Sequence, residues 1–389
     1  MRGILGALCL LAACSSAAPD PAPSATLASA PTASPLVSSE SASARSPSPA
    51  PVAPSARSAP SARSPSSARS TSAPRAEPPS SPVSEPRSAP TLEPLDILAD
   101  ELRALCPDPA PERTTNDTHY LVSNERRHDL FLPDLEGLGG VMLGVGSDQA
   151  YVMAPWARTD LVIIVDFDQK IVDLHPIHGA LMGAAPTVEE FRRLWSKDGA
   201  DDAREILRET TEDPTRRETL LALYDEARGS VDKRLRKLAR RYQELGVHSY
   251  LDTPEQYRYV ADLHARGRVV ALRGDYTREG VLRQVASALT THGQSLRVLY
   301  LSNIEQYFTY KRAFKDNMLA LPFDAQTLVL RTLPGRPAGF HYILQSGDDF
   351  HAWMRARRVW SVYKIRGFVK GEPLEANKRF VAGPPPSGD

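Results

Sequence analysis

Four apolar runs in this 389-residue sequence stop abruptly at residues that can do chemistry. Val141-Met142-Leu143 runs into Gly144-Val145-Gly146-Ser147-Asp148-Gln149, and Leu161–Val165 ends in Asp166-Phe167-Asp168. Val269–Leu272 is followed by Gly274-Asp275, and Leu296–Leu301 by Ser302-Asn303-Ile304-Glu305. Glycines let a backbone approach a ligand closely and turn where other residues are strained. Carboxylates accept hydrogen bonds from hydroxyls and attract cations. Several carboxylates around one cavity would raise one another's pKa and favour a cationic or hydroxyl-rich ligand, or a metal. Each candidate also has a plain structural reading. Gly144-x-Gly146 fits a tight strand–helix turn, and Asp166 and Asp275 fit helix N-caps.

Other chemistry finds less support. Gly-x-Ser-x-Gly, a P-loop and His-Glu-x-x-His are all missing, which removes the main support for a serine hydrolase, a P-loop NTPase or a zincin. His175-Pro176-Ile177-His178 could ligate a metal, but the proline places both histidines on a loop, where satisfied loop histidines are the plainer reading. Tyr307, Tyr310 and Lys311 could line a pocket, but an exposed strand-to-helix connection is the plainer reading.

The elements that must position these residues follow from periodicity. Leu95–Leu105 is helical, and Tyr120-Leu121-Val122 reads as a short strand. Val141–Leu143, Leu161–Val165, Val269–Leu272 and Leu296–Leu301 are short runs without alternation, as in strands covered on both faces. Thr327–Leu333, Phe340–Leu344 and Val362–Ile365 supply late strands, with helices to about 159 and over 278–291. Buried strands alternating with amphipathic helices predict an α/β fold, a doubly wound and mostly parallel Rossmann-like sheet. In such a sheet ligands bind outside the carboxyl ends of the strands. Gly144, Gly146, Asp148, Asp166, Asp275, Asn303 and Glu305 should therefore converge. Residues 187–245 form a charged helical insertion, broken at Gly199 and Pro214, between the second and third core strands. Val188, Phe191, Leu194 and Trp195 give it one apolar face, and Leu220, Leu221, Leu223 and Tyr224 another. It is expected to cap the cleft.

This order of elements, over about 138–345 without the insertion, resembles a class I S-adenosylmethionine-dependent methyltransferase core. The resemblance implies that Gly144 and Gly146 approach the cofactor. It also implies that Asp166, with Asp168 as alternate, accepts the ribose hydroxyls, that Asp275 binds the adenine amine, and that Ser302, Asn303 and Glu305 face the substrate. Asp148 stands where that family has its third glycine, and Val141–Leu143 lacks the acidic residue the family often carries there. A carboxylate at 148 would repel the cofactor's own carboxylate in a desolvated site. The chain as a whole also resembles a family of bacterial lipoproteins sharing Gly-Val-Gly-x-Asp-Gln and Ser-Asn-x-Glu-x-Tyr, here Gly144–Gln149 and Ser302–Tyr307.

The amino-terminal region is of another kind. Met1-Arg2 precedes an apolar run, Ile4–Ala13, too short to span a bilayer but right for a signal peptide. Leu11-Ala12-Ala13-Cys14 resembles the bacterial lipobox, which implies a lipidated Cys14 and a membrane anchor, and Ser15 implies outer-membrane sorting. An ordinary secretory signal with an incidental Cys14 is the alternative. Residues 15–93 are mostly Ser, Ala, Pro and Arg, and the chain holds 34 prolines. Such a composition cannot bury enough apolar area to offset ordering entropy, so a disordered tether is expected. As a flexible coil it would span roughly 50 Å. Lys+Arg and Asp+Glu both number 47, which argues against nucleic acid as a partner. Three cysteines rule out a disulfide-stapled scaffold. S-adenosylmethionine is not expected to be supplied outside the cell. The combined expectation is an exported, lipid-anchored envelope protein that presents a methyltransferase-like domain. Its degenerate cleft would bind a small molecule or protein. The alternative is an active methyltransferase.

Overall fold

The computed structural model describes residues 93–111, 119–335, 339–366 and 377–386. The lipobox, Cys14 and all of the tether except Glu93 lie outside the described residues. The first elements are α1 (Pro94–Arg103), a 3-10 turn at His128–Phe131 and α2 (Leu132–Leu135). The core then begins with β1 (Val141–Gly144), α3 (Gln149–Ala157) and β2 (Leu161–Asp166). Five helices follow: α4 (Gln169–Ala184), α5 (Val188–Trp195), α6 (Ala200–Arg208), α7 (Pro214–Leu245) and α8 (Pro254–Ala265). Next come β3 (Val269–Arg273), α9 (Val281–Thr291), β4 (Leu296–Ser302), a 3-10 turn at Ile304–Tyr307 and α10 (Arg312–Ala320). The last elements are β5 (Phe323–Pro334), β6 (Phe340–Ser346), α11 (Gly347–Arg355), α12 (Val362–Arg366) and β7 (Arg379–Ala382).

These strands form one sheet in the order β3-β2-β1-β4-β5-β6-β7. The first five are mutually parallel, β6 is antiparallel to β5, and β7 runs parallel to β6. The fold is thus α/β with a mostly parallel, doubly wound sheet, as the apolar runs predict. All six residues of β2 are buried, because helices cover both faces of the sheet. Along β1, Val141 and Leu143 pack with α1, α9, α10 and α11, while Met142 packs with α3 to α8. That alternation is the two-residue period of a strand between two layers. Register aligns Gly144 with Ile164 on one side and Tyr300 on the other. The strand order reverses between β1 and β4, the switch point where such sheets open a crevice.

Helix starts and stops follow local chemistry. Thr187 caps α5 by accepting from the Glu190 amide, with Glu190 three residues on as in a capping box. Asp213 caps α7, Pro214 is its first residue, and Gly246 ends it at φ 64°. The breaks expected at Gly199 and Pro214 are therefore observed.

Three local expectations are corrected. Tyr120–Val122 is irregular, with a bend at Val122, and pairs with no described strand. His175 and His178 lie within α4, not on a loop, and Pro176 is inside that helix. Ile171, Leu174, Ile177 and Leu181 are buried along α4, and this packing outweighs the hydrogen bond the proline removes. Val362–Ile365 is helical, with Val362 and Ile365 buried and Tyr363 and Lys364 exposed. That spacing of three is a helix face, and the last strand is β7. Among the described residues no helix is long and apolar enough to cross a membrane.

Candidate functional site

A cavity of about 470 Å³ opens at the carboxyl ends of β1 to β4. Of the residues expected there, Gly146, Asp166, Asp168, Asp275, Ser302 and Asn303 line it. Gly144, Asp148 and Glu305 do not. Asp148 is 3 % exposed and its Oδ2 accepts from Nε of Arg234 at 2.9 Å, an ion pair reaching back into α7. Glu305 is buried beside Arg331, Nε to Oε2 3.2 Å, and accepts from the Tyr310 hydroxyl. Convergence thus holds for Gly146, Asp166, Asp275 and Asn303. It fails for Gly144 and for two acidic residues, Asp148 and Glu305, whose charges are met by cations elsewhere.

Gly146 is the hinge of the site. Its φ of 90° is a left-handed conformation that glycine adopts without strain. Its N–H donates to Asp166 Oδ2 at 3.1 Å, and its carbonyl accepts from His175 Nε2 at 3.1 Å. The other ring nitrogen of His175 accepts from the buried Tyr151 hydroxyl. Burial pushes the His175 imidazole down to about 4, so it is neutral near pH 7 and carries its proton on Nε2. His175 therefore props the glycine turn from behind instead of ligating a metal.

Asp166 holds the same turn with one oxygen, while its Oδ1 accepts from the Asp168 amide at 3.0 Å. Burial pushes its carboxyl up to about 7, the charge of Asp168 adds to this, and the backbone N–H groups hold it back. The N-cap of α4 is Asp168, whose Oδ1 accepts from the Lys170 amide at 3.0 Å, so the cap reading of Asp166 does not apply. Asp168 Oδ2 pairs with His119 Nδ1 at 2.7 Å. Asp275 makes a local turn, accepting from the amide and hydroxyl of Thr277 at 2.8 and 2.7 Å, and pairs with Arg278 at 3.3 Å. Ser302 has a φ of 49°, strained for serine, and donates to the buried Glu125 at 2.7 Å.

Other lining residues lie outside the expected set: His119, Tyr120, Ser123 and Asn124 precede the first 3-10 turn, and Tyr307 and Phe308 follow β4. Of the residues that could line a pocket, Tyr307 does so and is exposed, while Tyr310 is buried and, like Lys311, does not line the cavity. The one signal for the stretch 119–124 was Tyr120–Val122, misread as a strand. Three carboxylates line the cavity, and no Lys or Arg does among the described residues. Such a surface disfavours a diphosphate and suits a cation or a donor of hydroxyl hydrogen bonds.

No residue of 187–245 lines the cavity, so the insertion does not cap its mouth. It packs with α4 on one face of the sheet and meets the site only through Arg234.

No curated protein matches the chain. A family described as a domain of unknown function (DUF7790) matches residues 120–377, a span that holds β1 to β6 and every cavity-lining residue except His119. The chain belongs to the DUF7790 family.

Proposed function

We propose that this domain is the ligand-binding head of an exported, lipid-anchored envelope protein, and that its cleft takes a small cationic or hydroxyl-bearing molecule. The observation that carries the reading is the cavity at the β1/β4 switch point, lined by Asp166, Asp168 and Asp275 with no lysine or arginine among the described residues. S-adenosylmethionine is the first ligand to test, because its sulfonium and ribose hydroxyls suit this lining. The fit is partial. Gly146 and Asp166 line the cavity, but the Asp166 carboxylate already accepts from the Gly146 and Asp168 amides, and the Asp275 carboxylate serves Thr277 and Arg278.

Calorimetric titration of the full chain with S-adenosylmethionine and with NAD tests the ligand class. Roughly micromolar binding of the sulfonium and none of the dinucleotide is expected. Binding of NAD alone overturns the reading. Asp166 sets the pH dependence. Its folded pKa is raised to about 7 from 3.8, so the carboxylate that attracts a cation or accepts a hydroxyl forms only as pH rises through about 7. Affinity should rise with it and be flat in Asp166→Asn. The unliganded domain should lose stability over the same rise, because the unfolded carboxyl is already ionised there.

A second reading, a methyltransferase, is favoured by Asp148. Its carboxylate is neutralised by Arg234 and lies outside the cavity, so the repulsion expected of it is absent. Methyl transfer to an acceptor beside Asn303 would separate the two readings.

The anchor is tested separately. Mass spectrometry of the mature protein should find an acylated Cys14 at its N-terminus, and Cys14→Ser should leave the membrane fraction. A Cys14→Ser protein that stays membrane-bound rejects the anchor without touching the cleft.

A further inference from the structure

A second cavity lies away from the cleft. It measures about 360 Å³, and its walls carry five basic side chains, Arg126, Arg127, Lys237, Arg240 and Arg241, against one acidic one, Glu244. On one side Lys237, Arg240 and Arg241 project from α7, at spacings that put them on one helix face. On the other side Arg126 and Arg127 precede the 3-10 turn at His128–Phe131.

Some of this charge is met and some is not. Arg127 forks onto Asp129, with Nε to Oδ1 and Nη2 to Oδ2 both 2.9 Å. Arg241 has only a loose contact with Glu244 at 3.5 Å. Arg126, Lys237 and Arg240 make no ion pair with any described residue. Three uncompensated positive charges thus share one groove, in a chain whose charges balance at 47 against 47. Like charges held together repel, and an anion seated between them turns that repulsion into attraction.

The groove is also held in shape. The backbone N–H groups of Arg126 and Arg127 both donate to the Tyr342 hydroxyl, at 3.0 and 2.9 Å. Arg234, less than one turn before Lys237 on α7, donates to the carbonyl of Glu125. The Arg234 bond ties the two walls together and the Tyr342 hydroxyl fixes the backbone of the second, so a ligand need not order that backbone. Arginine forks match the oxygens of phosphate, and lysine adds a mobile point charge.

We infer that this groove binds a phosphate group, carried by an anionic lipid headgroup or by a free phosphorylated small molecule. It is a separate site from the cleft, whose carboxylate lining repels the same ligand.

The test uses the full chain carrying Cys14→Ser, so that no acyl chain drives membrane association. One arm is calorimetric titration with inorganic pyrophosphate. The other is co-sedimentation with phosphatidylcholine vesicles, with and without a third of phosphatidylglycerol. Binding in at least one arm is expected, weakening as salt is added. Pyrophosphate binding without a vesicle preference identifies a free ligand, and a phosphatidylglycerol preference identifies a headgroup. The triple variant Arg126→Gln, Lys237→Gln, Arg240→Gln should lose roughly tenfold or more in affinity, since each charge-assisted bond is individually strong. Its melting temperature should match the parent's, because these side chains are exposed. The single variant Lys237→Glu, which places a negative charge in the groove, should weaken binding in the same direction. The inference is overturned if neither probe binds. It is equally overturned if both variants bind as the parent does, since the arginines of the tether would then account for the binding.

Discussion

Arg234→Met should destabilise the folded domain by about 3–5 kcal/mol, the range found when one member of a buried ion pair is removed. Asp148 and Arg234 are 3 % and 6 % exposed, so neither charge can recover its lost hydration. Burial alone pulls the Arg234 guanidinium down, but the Asp148 carboxylate outweighs it and holds the arginine above its ordinary range. Without Arg234 the carboxylate is left uncompensated, and the Glu125 carbonyl loses its donor as well. Methionine keeps most of the volume, so a cavity contributes little to the loss. Adding Asp148→Asn removes the stranded charge and should recover more than half of it. Urea denaturation of the two single variants and the double variant measures this directly. If the double variant is as unstable as the sum of the singles, the two residues are not coupled. The consequence for the cleft is local. Asp148 precedes α3 and follows the glycine turn, so Arg234→Met should weaken ligand binding although it never meets the ligand.

Glu125→Ala should be of similar size, about 4 kcal/mol or more, because it strands several buried donors at once. The carboxylate is 1 % exposed and accepts from Ser302 at 2.7 Å, from His128 at 3.0 Å, and from the hydroxyls of Tyr300 and Thr332. Burial raises its pKa, yet the hydrogen bond and attraction of His128, with the Thr332 and Tyr300 hydroxyls, bring it below its ordinary value of 4.5. A carboxyl depressed on folding contributes stability that is present above its unfolded pKa. That contribution is lost as pH falls through the lower folded value. Denaturation of the wild type should therefore steepen in acid below 4.5. Glu125→Gln should flatten that limb while costing less than Glu125→Ala at pH 7. An unchanged acid limb in Glu125→Gln would show that other carboxylates govern the transition. Ser302 also lines the cleft, so releasing its hydroxyl from Glu125 should relax its strained φ and disturb ligand binding.

Much of the architecture was legible in the residues themselves. Leu161–Val165 contains nothing but branched apolar side chains, and such a run is stable only where both faces are covered. Once several parallel strands are granted, their carboxyl ends must share one side of the sheet. That topological rule gathered Gly146, Asp166, Asp275, Ser302 and Asn303 from separate parts of the chain. Gly199 and Pro214 marked breaks between helices because glycine and proline act on the local backbone and need no tertiary partner.

Direction and partnership were decided only by the folded structure. Asp148 lies in the glycine loop by sequence, but Arg234, 86 residues away, draws its carboxylate out of the cavity. Glu125 carries no local signal, since its partners Tyr300, Ser302 and Thr332 follow it by 175 to 207 residues. Pro176 is a helix breaker by local chemistry, yet α4 continues through it because its buried face packs against α6, α7 and α8. His119, Tyr120, Ser123 and Asn124 line the cleft without any regular element to announce them. Local patterns determine what an element is and where it begins. The pairing of charges and the facing of side chains across the cleft depend on distances that exist only after the layers have packed.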